Sequence, residues 1–450
     1  MVKLFGTDGV RGKANTYPIT AEVALKLGKA AAIVLKNKDN KKPVFLIGKD
    51  TRLSGYMLEY ALTSGLTSMG ADVFLVGPMP TPAVAHLTRS FAADAGIMIS
   101  ASHNPADDNG IKFFDSNGLK LPDIVEKKIE KMVLSGDIIS EHITSKQIGR
   151  AHRIDDAQGR YIEFAKSTAN NISLKGKKVV LDCANGAAYK VAPLILKELG
   201  AELVVIGNTP DGNNINKDCG ALNPEITKKA VLENKADLGI TLDGDADRVI
   251  MVDEKGNIID GDHLIAISAI DMLEKKELKK DTVVVTHYSN LAFDKLIKKY
   301  KGKIIRVKNG DRYVMDEMKR GDYNLGGEFS GHIIFSDYNS TGDGIIAALQ
   351  ILKIMQEKNK KLSVLASALK KYPQVIVNVK VKEKKPLEKI ASVVKEIKAA
   401  EIALGEKGRH IIRYSGTENI ARVMVEGESE ELIRKIANSI ANKIKKEVGV

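Results

Sequence analysis

The sequence predicts an α/β protein: three similar mixed α/β domains with mainly parallel sheets, then a smaller C-terminal α+β domain. Three observations carry this. The order strand–helix–strand–helix–strand occurs three times, beginning at Val44, Lys178 and Thr282, and repeated β/α order implies parallel strands covered by helices. The run Gly70-Ala-Asp-Val-Phe-Leu-Val76 in the first round is echoed by Gly200-Ala-Glu-Leu-Val-Val-Ile206 in the second. After Pro373 the alternation changes character. A chain of 450 residues is too long for one core, and domains of about 100–150 residues predict three or four. The expected boundaries are 1–153, 154–254, 255–370 and 371–450.

In the first round, Val44–Ile47 reads as a strand ending in Gly48-Lys-Asp-Thr-Arg52. A helix near Gly55–Met69, a second strand to Val76 and a helix after Pro82 follow. The apolar run Gly96–Ile99 then stops at Ser100, Ser102, His103, Asn104 and Pro105. Proline cannot continue a central strand, so a hydroxyl-rich turn sits at a strand's carboxyl end, where open α/β sheets bind ligands. Ahead of this round, Phe5–Gly12 carries three glycines with Thr7, Asp8 and Arg11 between them. Glycine admits a ligand close to the backbone and arginine forks onto phosphate, though a flexible entry loop has the same composition.

The second round reads as strand Lys178–Asp182, helix Tyr189–Leu199, strand 200–206, a helix near Glu225–Asn234 and strand 237–242. The third reads as strand Thr282–Thr286, helix near Leu291–Tyr300, strand 302–307, short helix Tyr313–Lys319 and a glycine-rich loop to His332. In the last domain Gln374–Val381 alternates as a strand and Pro386–Ala400 as a helix. Two strand-like runs flank Arg413–Asn419. Glu430–Glu447 is an amphipathic helix with Ser429 as N-cap.

Composition removes some function classes. The net charge is +12, and its lysines cluster in short runs such as Lys275–Lys280. Aromatics are 5% and Trp is absent, so the basic runs lack the aromatic interleaving of a nucleic-acid surface. They read as solvated faces whose field draws in a small anion. Ala21–Leu35 is interrupted by Glu22, Lys26 and Lys29, and no apolar run reaches the ~20 residues that span a bilayer. Lys3, Asp8 and Arg11 occupy the place of a leader's apolar stretch, so the expected location is cytoplasmic. Cys183 and Cys219 have no metal-ligand spacing and read as reduced thiols.

The sharpest chemical signal is Asp243-Gly-Asp-Ala-Asp-Arg248. Three alternate carboxylates after an apolar strand repel one another unless a cation sits among them, and an all-oxygen set suits Mg²⁺. An EF-hand loop competes, since Glu254 stands where such a loop closes. However, Arg248 occupies its glycine position and Val249–Val252 reads as a strand. Arg413-Tyr-Ser-Gly-Thr-Glu418 offers a guanidinium, two hydroxyls and an accessible glycine N–H, the parts of a phosphate cradle. In Gly326–His332, alternation places Glu328, Ser330 and His332 on one side of an extended segment, a carboxylate and hydroxyl fit for sugar hydroxyls. Standing alone, the Arg413 loop would read better as a glycine hairpin with a surface Arg, and the Gly326–His332 loop equally as a glycine-rich turn. A serine in the 100–104 turn is a weak nucleophile without a base or metal, and chemistry leaves Ser100 and Ser102 both open.

Taken in order, Gly6–Gly12, Ser100–Pro105 with Asp108–Phe114, Asp243–Arg248, Gly327–His332 and Arg413–Glu418 resemble the α-D-phosphohexomutase superfamily nearly end to end. The resemblance implies four domains around a central cleft and a phosphoserine at Ser102. It implies one Mg²⁺ per subunit on Asp243, Asp245 and Asp247 with the Ser102 phosphate. Arg11, His103, Lys112 and Arg248 would serve the reaction, Lys112 as a candidate proton shuttle. Glu328, Ser330 and His332 would hold the sugar, and Arg413, Ser415, Gly416 and Thr417 its non-reacting phosphate. The runs Asp108–Phe114 and Asp211–Gly220 look like the glucosamine branch. That implies interconversion of glucosamine 6- and 1-phosphate through a 1,6-bisphosphate, supplying UDP-N-acetylglucosamine synthesis. The partner would be a phosphorylated amino sugar, with no nucleic acid or membrane, and the chain a monomer or homodimer. Phe329 stands where this branch usually has Gln, and Asn419 where Pro is usual. Phe329 motivates one rival, the same chemistry on mannose or glucose phosphates. The +12 charge motivates another, a basic anion-binding protein, which needs neither Ser102 nor the triad.

Overall fold

The computed structural model describes residues 3–6, 8–36, 42–136, 143–170, 172–415 and 419–450. They form two compact units, Met1–Tyr288 with Gly302–Ala368, and Ser289–Lys301 with Leu369–Val450.

The first unit holds three sheets. The first comprises β1 (Val10–Lys13), β2 (Val44–Lys49), β3 (Asp72–Pro78), β4 (Ala95–Ile99), β5 (Asp108–Asp115) and β6 (Ala151–Arg153), in the order β1-β5-β4-β2-β3-β6. The second comprises β7 (Lys178–Asp182), β8 (Glu202–Ile206), β9 (Leu238–Leu242), β10 (Val249–Asp253) and β11 (Ile258–Ile259), ordered β11-β10-β9-β7-β8. The third comprises β12 (Thr282–Thr286), β13 (Lys303–Val307), β14 (Leu325–Gly327) and β15 (Ile333–Phe335), ordered β13-β12-β14-β15. One pattern underlies all three: a central strand with a parallel neighbour on each side, closed by an antiparallel fourth strand. β4, β9 and β12 are buried at every position, as strands covered on both faces are.

This shared pattern decides where the chemistry sits. The turns 100–107, 243–248 and 328–332 each join a third strand to its antiparallel fourth, at the same topological point of each repeat. The sequence reading found the three rounds but not β5, whose Asp108-Asn-Gly opening hides a buried strand.

The second unit carries an antiparallel sheet of β16 (Gln374–Lys380), β17 (Gly408–Tyr414) and β18 (Ile420–Gly427), ordered β16-β18-β17. Its core gathers Val379, Val423 and Val425 with Val393 and with Ile433, Ile440 and Ile444 of helix Glu430–Val448. Ser429 caps that helix, accepting from the Leu432 amide. The helix expected over 386–400 differs: Leu387–Lys389 is a 3-10 turn, Ile390 leaves helical geometry (φ −98°, ψ 98°), and the helix runs Ala391–Leu404. Among the described residues no helix is long and apolar enough to cross a membrane. Cys183 and Cys219 are free and buried.

Candidate active site

Ser102 sits just past β4 with φ +52°, a left-handed conformation uncommon outside glycine. It is buried, and its Oγ donates to Asp243 Oδ2 at 2.6 Å. Ser100 turns the other way, its Oγ accepting from the Ser102 amide at 2.8 Å. The structure therefore brings Ser102 to the acidic loop and leaves Ser100 bracing the turn. The neighbouring His103 places Nδ1 3.4 Å from the Ser102 oxygen. Burial, then Arg248, push the His103 pKa down to about 4 despite the nearby carboxylates, so the ring is neutral.

The acidic loop is a tight turn held by the Ala246 amide on the Asp243 carbonyl. Asp243, Asp245 and Asp247 are buried, and one oxygen from each lies within 4.8 Å of the others. Burial, and then Asp247 and Asp245, push the Asp243 carboxyl well above the usual carboxylate range. Burial acts in the same sense on Asp245, but Lys112 and the Thr81 hydroxyl hold that carboxyl below it. Lys112 Nζ lies 2.8 Å from Asp245 Oδ2 and Thr81 Oγ1 2.6 Å. Asp245 Oδ1 and Asp247 Oδ1 are buried without a hydrogen-bond partner. Unpaired buried carboxylate oxygens are costly, and three carboxylates converging in this way fit a hard divalent cation.

Cations ring the triad. Lys112 projects from β5, opposite Met98 of β4, and also meets Asp8 at 3.3 Å. Burial opposes its charge, yet Asp245, Asp8 and Asp247 hold the ammonium above its ordinary value. Arg11, on β1, bonds Asp8. Arg248 Nε is 3.7 Å from Asp247 Oδ1 and the Arg248 amide donates to Asp243.

The third-repeat turn differs from expectation. Residues 328–332 close tightly, the Gly331 amide on the Glu328 carbonyl and the Glu328 amide on the His332 carbonyl. The segment is a turn rather than an extended run, and it still brings Glu328 to Ser330 and sets Glu328 and His332 on one cavity. Glu328 accepts from the Gly310 amide at 3.0 Å and from Ser330 at 3.4 Å. His332 faces the triad, Nδ1 3.6 Å from Asp247 Oδ2. The Gly342 amide donates to His332 Nε2, which sets the proton on Nδ1 toward Asp247. A cavity of about 610 Å³ is lined by Asp8, Arg11, Ser102, Asp247, Arg248, Asp311, Glu328 and His332, among others. Arg413 and Ser415 lie at the end of β17 in the second unit, and Gly416 and Thr417 fall outside the described residues.

Family models of phosphoglucomutase/phosphomannomutase match in sequence: α/β/α domain I over residues 2–138, domain II over 159–256, domain III over 260–372 and the C-terminal domain over 376–443. The chain belongs to the phosphoglucomutase/phosphomannomutase family. It is an enzyme of the mutase class. Phosphoglucosamine mutase of Geobacter sp. (strain M21) is 55% identical over 450 residues, covering 100% of this chain and 99% of that one. The Myxococcus xanthus protein of the same name is 54% identical over 449 residues, covering 100% and 98%. Among solved structures, a phosphoglucomutase/phosphomannomutase family protein from Burkholderia thailandensis aligns with TM-score 0.81 at 22% identity, covering 100% of both chains. Aspergillus fumigatus N-acetylphosphoglucosamine mutase, in complex with GlcNAc-6P and magnesium, aligns with TM-score 0.67 at 18% identity, covering 99% of this chain and 96% of that one.

Seen as a family member, the chain holds site residues that the sequence reading passed over. Thr81 follows β3 and Asp311 follows β13. Lys120 bridges Asp8 and Asp311. Thr81 and Asp311 sit at the carboxyl ends of strands, so applying the ligand-end rule to every strand, rather than to the conspicuous loops, finds both.

Proposed function

We propose that the chain is a phosphoglucosamine mutase, interconverting glucosamine 6-phosphate and glucosamine 1-phosphate through a phosphorylated Ser102. One observation carries the reading: the buried Ser102 hydroxyl donates to a carboxylate of the triad. Full-length relatives of that name support the substrate.

Phospho-Ser102 gives its phosphoryl group to the C1 hydroxyl of glucosamine 6-phosphate. The serine O–P bond breaks, the C1 O–P bond forms, and the hydroxyl's proton is passed to the site. The bisphosphate turns around, its 6-phosphoryl group returns to Ser102, and glucosamine 1-phosphate leaves. Asp243, Asp245 and Asp247 would hold Mg²⁺, which supplies charge neutralisation at the transferring group. Lys112, kept charged by its carboxylate neighbours, shuttles the proton, giving one to the departing serine oxygen and regaining the one that the C1 hydroxyl releases. Arg11 and Arg248 face the phosphoryl oxygens, and His103 beside Ser102 stays neutral. Glu328, Ser330 and His332 hold the sugar. Arg413 and Ser415, with Gly416 and Thr417, are the phosphate-holding set of the second unit.

The substitution at Phe329 motivates mannose or glucose phosphates as the alternative. Phe329 is 43% exposed, its ring packs beside Tyr288 with centroids 6.4 Å apart, and it does not line the Ser102 cavity. That supports the glucosamine reading. Intact-mass and peptide mapping of purified protein should find one phosphate on Ser102. Ser102→Ala should lose it and at least about 10³-fold in kcat, as loss of a nucleophile does. A higher kcat/KM for mannose or glucose phosphate than for glucosamine phosphate would transfer the assignment, and normal turnover by Ser102→Ala would end it.

A further inference from the structure

The stretch 211–220 and the Asp-Thr-Arg after β2 have no part in the chemistry above, yet both reach the nucleophile turn. The Leu53 amide donates to the Gly212 carbonyl at 2.9 Å, and the Thr51 hydroxyl donates to the Asn185 carbonyl. From one side, Arg52 Nη2 donates to the Ser102 carbonyl at 3.2 Å and the Asn104 carbonyl at 2.6 Å. From the other, Asn216 Nδ2 donates to the same two carbonyls at 2.9 and 3.1 Å. Arg52 is fully buried, its Nη1 is held by Asp50, and its amide donates to Asp50 Oδ1 at 2.9 Å. Asp50 also meets the hydroxyl of Ser100, the group that accepts from the Ser102 amide.

Both polar backbone groups of Ser102 are therefore engaged, its amide by Ser100 and its carbonyl by Arg52 and Asn216. This matters because Ser102 holds φ +52°, a region that a non-glycine residue keeps only where its surroundings over-determine it. Flipping the 102 peptide to an ordinary conformation would swing its carbonyl off both donors and carry Oγ away from Asp243.

We infer that Arg52 of the first repeat and Asn216 of the second are positioning residues, a two-sided clamp on the Ser102 and Asn104 carbonyls that aims the serine oxygen at the triad. The kinetic part rests on the mutase reading; the conformational part does not. The clamp acts on the reacting serine and touches no sugar contact, so its loss falls on kcat and spares KM.

The test compares wild type, Asn216→Ala, Arg52→Lys and Arg52→Met for turnover of glucosamine 6-phosphate and for amide exchange in the peptide spanning 98–106. Asn216→Ala should lose about 10–100-fold in kcat, the scale of an ångström-sized misplacement, with KM within about threefold of wild type. Exchange in the 98–106 peptide should quicken at least about tenfold while distant peptides keep their protection. Arg52→Lys, which keeps a cation on Asp50 and one donor, should recover part of what Arg52→Met loses. Arg52 is fully buried, and if Arg52→Met does not fold, Asn216→Ala and Arg52→Lys carry the test. Unchanged kcat and unchanged exchange in Asn216→Ala overturn the clamp, as does a loss shared equally with KM. If wild type turns over no hexose phosphate the mutase reading falls, and the exchange comparison still decides the clamp.

Discussion

Gly244 of the second repeat lies directly against the Ser102 carbonyl. A Cβ there would stand 2.6 Å from the Ser102 carbonyl oxygen and 2.7 Å from Asn216 Nδ2, distances no carbon contact tolerates. Gly244→Ala should cost about 1–3 kcal/mol, the usual price of overpacking, and about 10²-fold in kcat by shifting Ser102 against the triad. Denaturant titration and steady-state kinetics check the two parts; wild-type kcat would remove the close approach from the mechanism. At this scale the sequence was legible where residues stood together in the chain. Asp243, Asp245 and Asp247 were readable because three alternate carboxylates after a buried strand have few explanations. Thr81 was not, since nothing near it in sequence announces a hydrogen bond to a carboxylate 164 positions away. Arg52 was unreadable for the same reason.

The elements were legible in proportion to how much of their pattern is local. β7 and β12 fall where the apolar runs placed them. The turn at 328–332 was misread as extended because alternation is also what a tight hairpin turn can display. Helix Gly344–Glu357 was missed altogether: it is buried nearly all round, so it lacks the amphipathic period that marks a surface helix. Its first turn shows what holds it, Asp343 capping the Ile345 and Ile346 amides while accepting from Tyr161 of helix Ala157–Thr168. That same helix offers Phe164 to His86 of helix Thr81–Ser90, rings stacked at 3.7 Å and 10°. Burial, then Arg89, push the His86 pKa down to about 4. The fold therefore prefers the neutral ring, and between that value and the ordinary 6.5 the unfolded chain binds more protons. The contribution is full above the ordinary value and is lost as pH falls toward 4. His86→Phe keeps the stack and removes the titration, so its thermal midpoint should fall less between neutral pH and pH 4.5 than that of wild type. Parallel midpoint profiles would mean that His86 does not report this burial.

In the first unit as a whole, charge binds the three repeats around one point. Asp8, Arg11, Lys112 and Lys120 come from the first repeat, the triad from the second, and Asp311 and His332 from the third. They contact one another through Lys112–Asp245, Lys120–Asp311 and His332–Asp247. The repeats and their loops could be read along the chain, but this convergence could not, because it depends on how repeats pack rather than on what each contains. It makes metal binding a property of the unit's stability. Without a cation the Asp243 carboxyl is raised by burial and by its two neighbours, so it keeps its proton to a higher pH than an ordinary carboxyl. Binding a cation requires that proton to leave, so apparent affinity rises with pH. Mg²⁺ at 100 times its Kd should stabilise wild type by about 2.7 kcal/mol, and chelation should remove that gain. Asp243→Asn should gain almost nothing in thermal midpoint from Mg²⁺. An equal Mg²⁺ shift in wild type and Asp243→Asn would place the cation elsewhere.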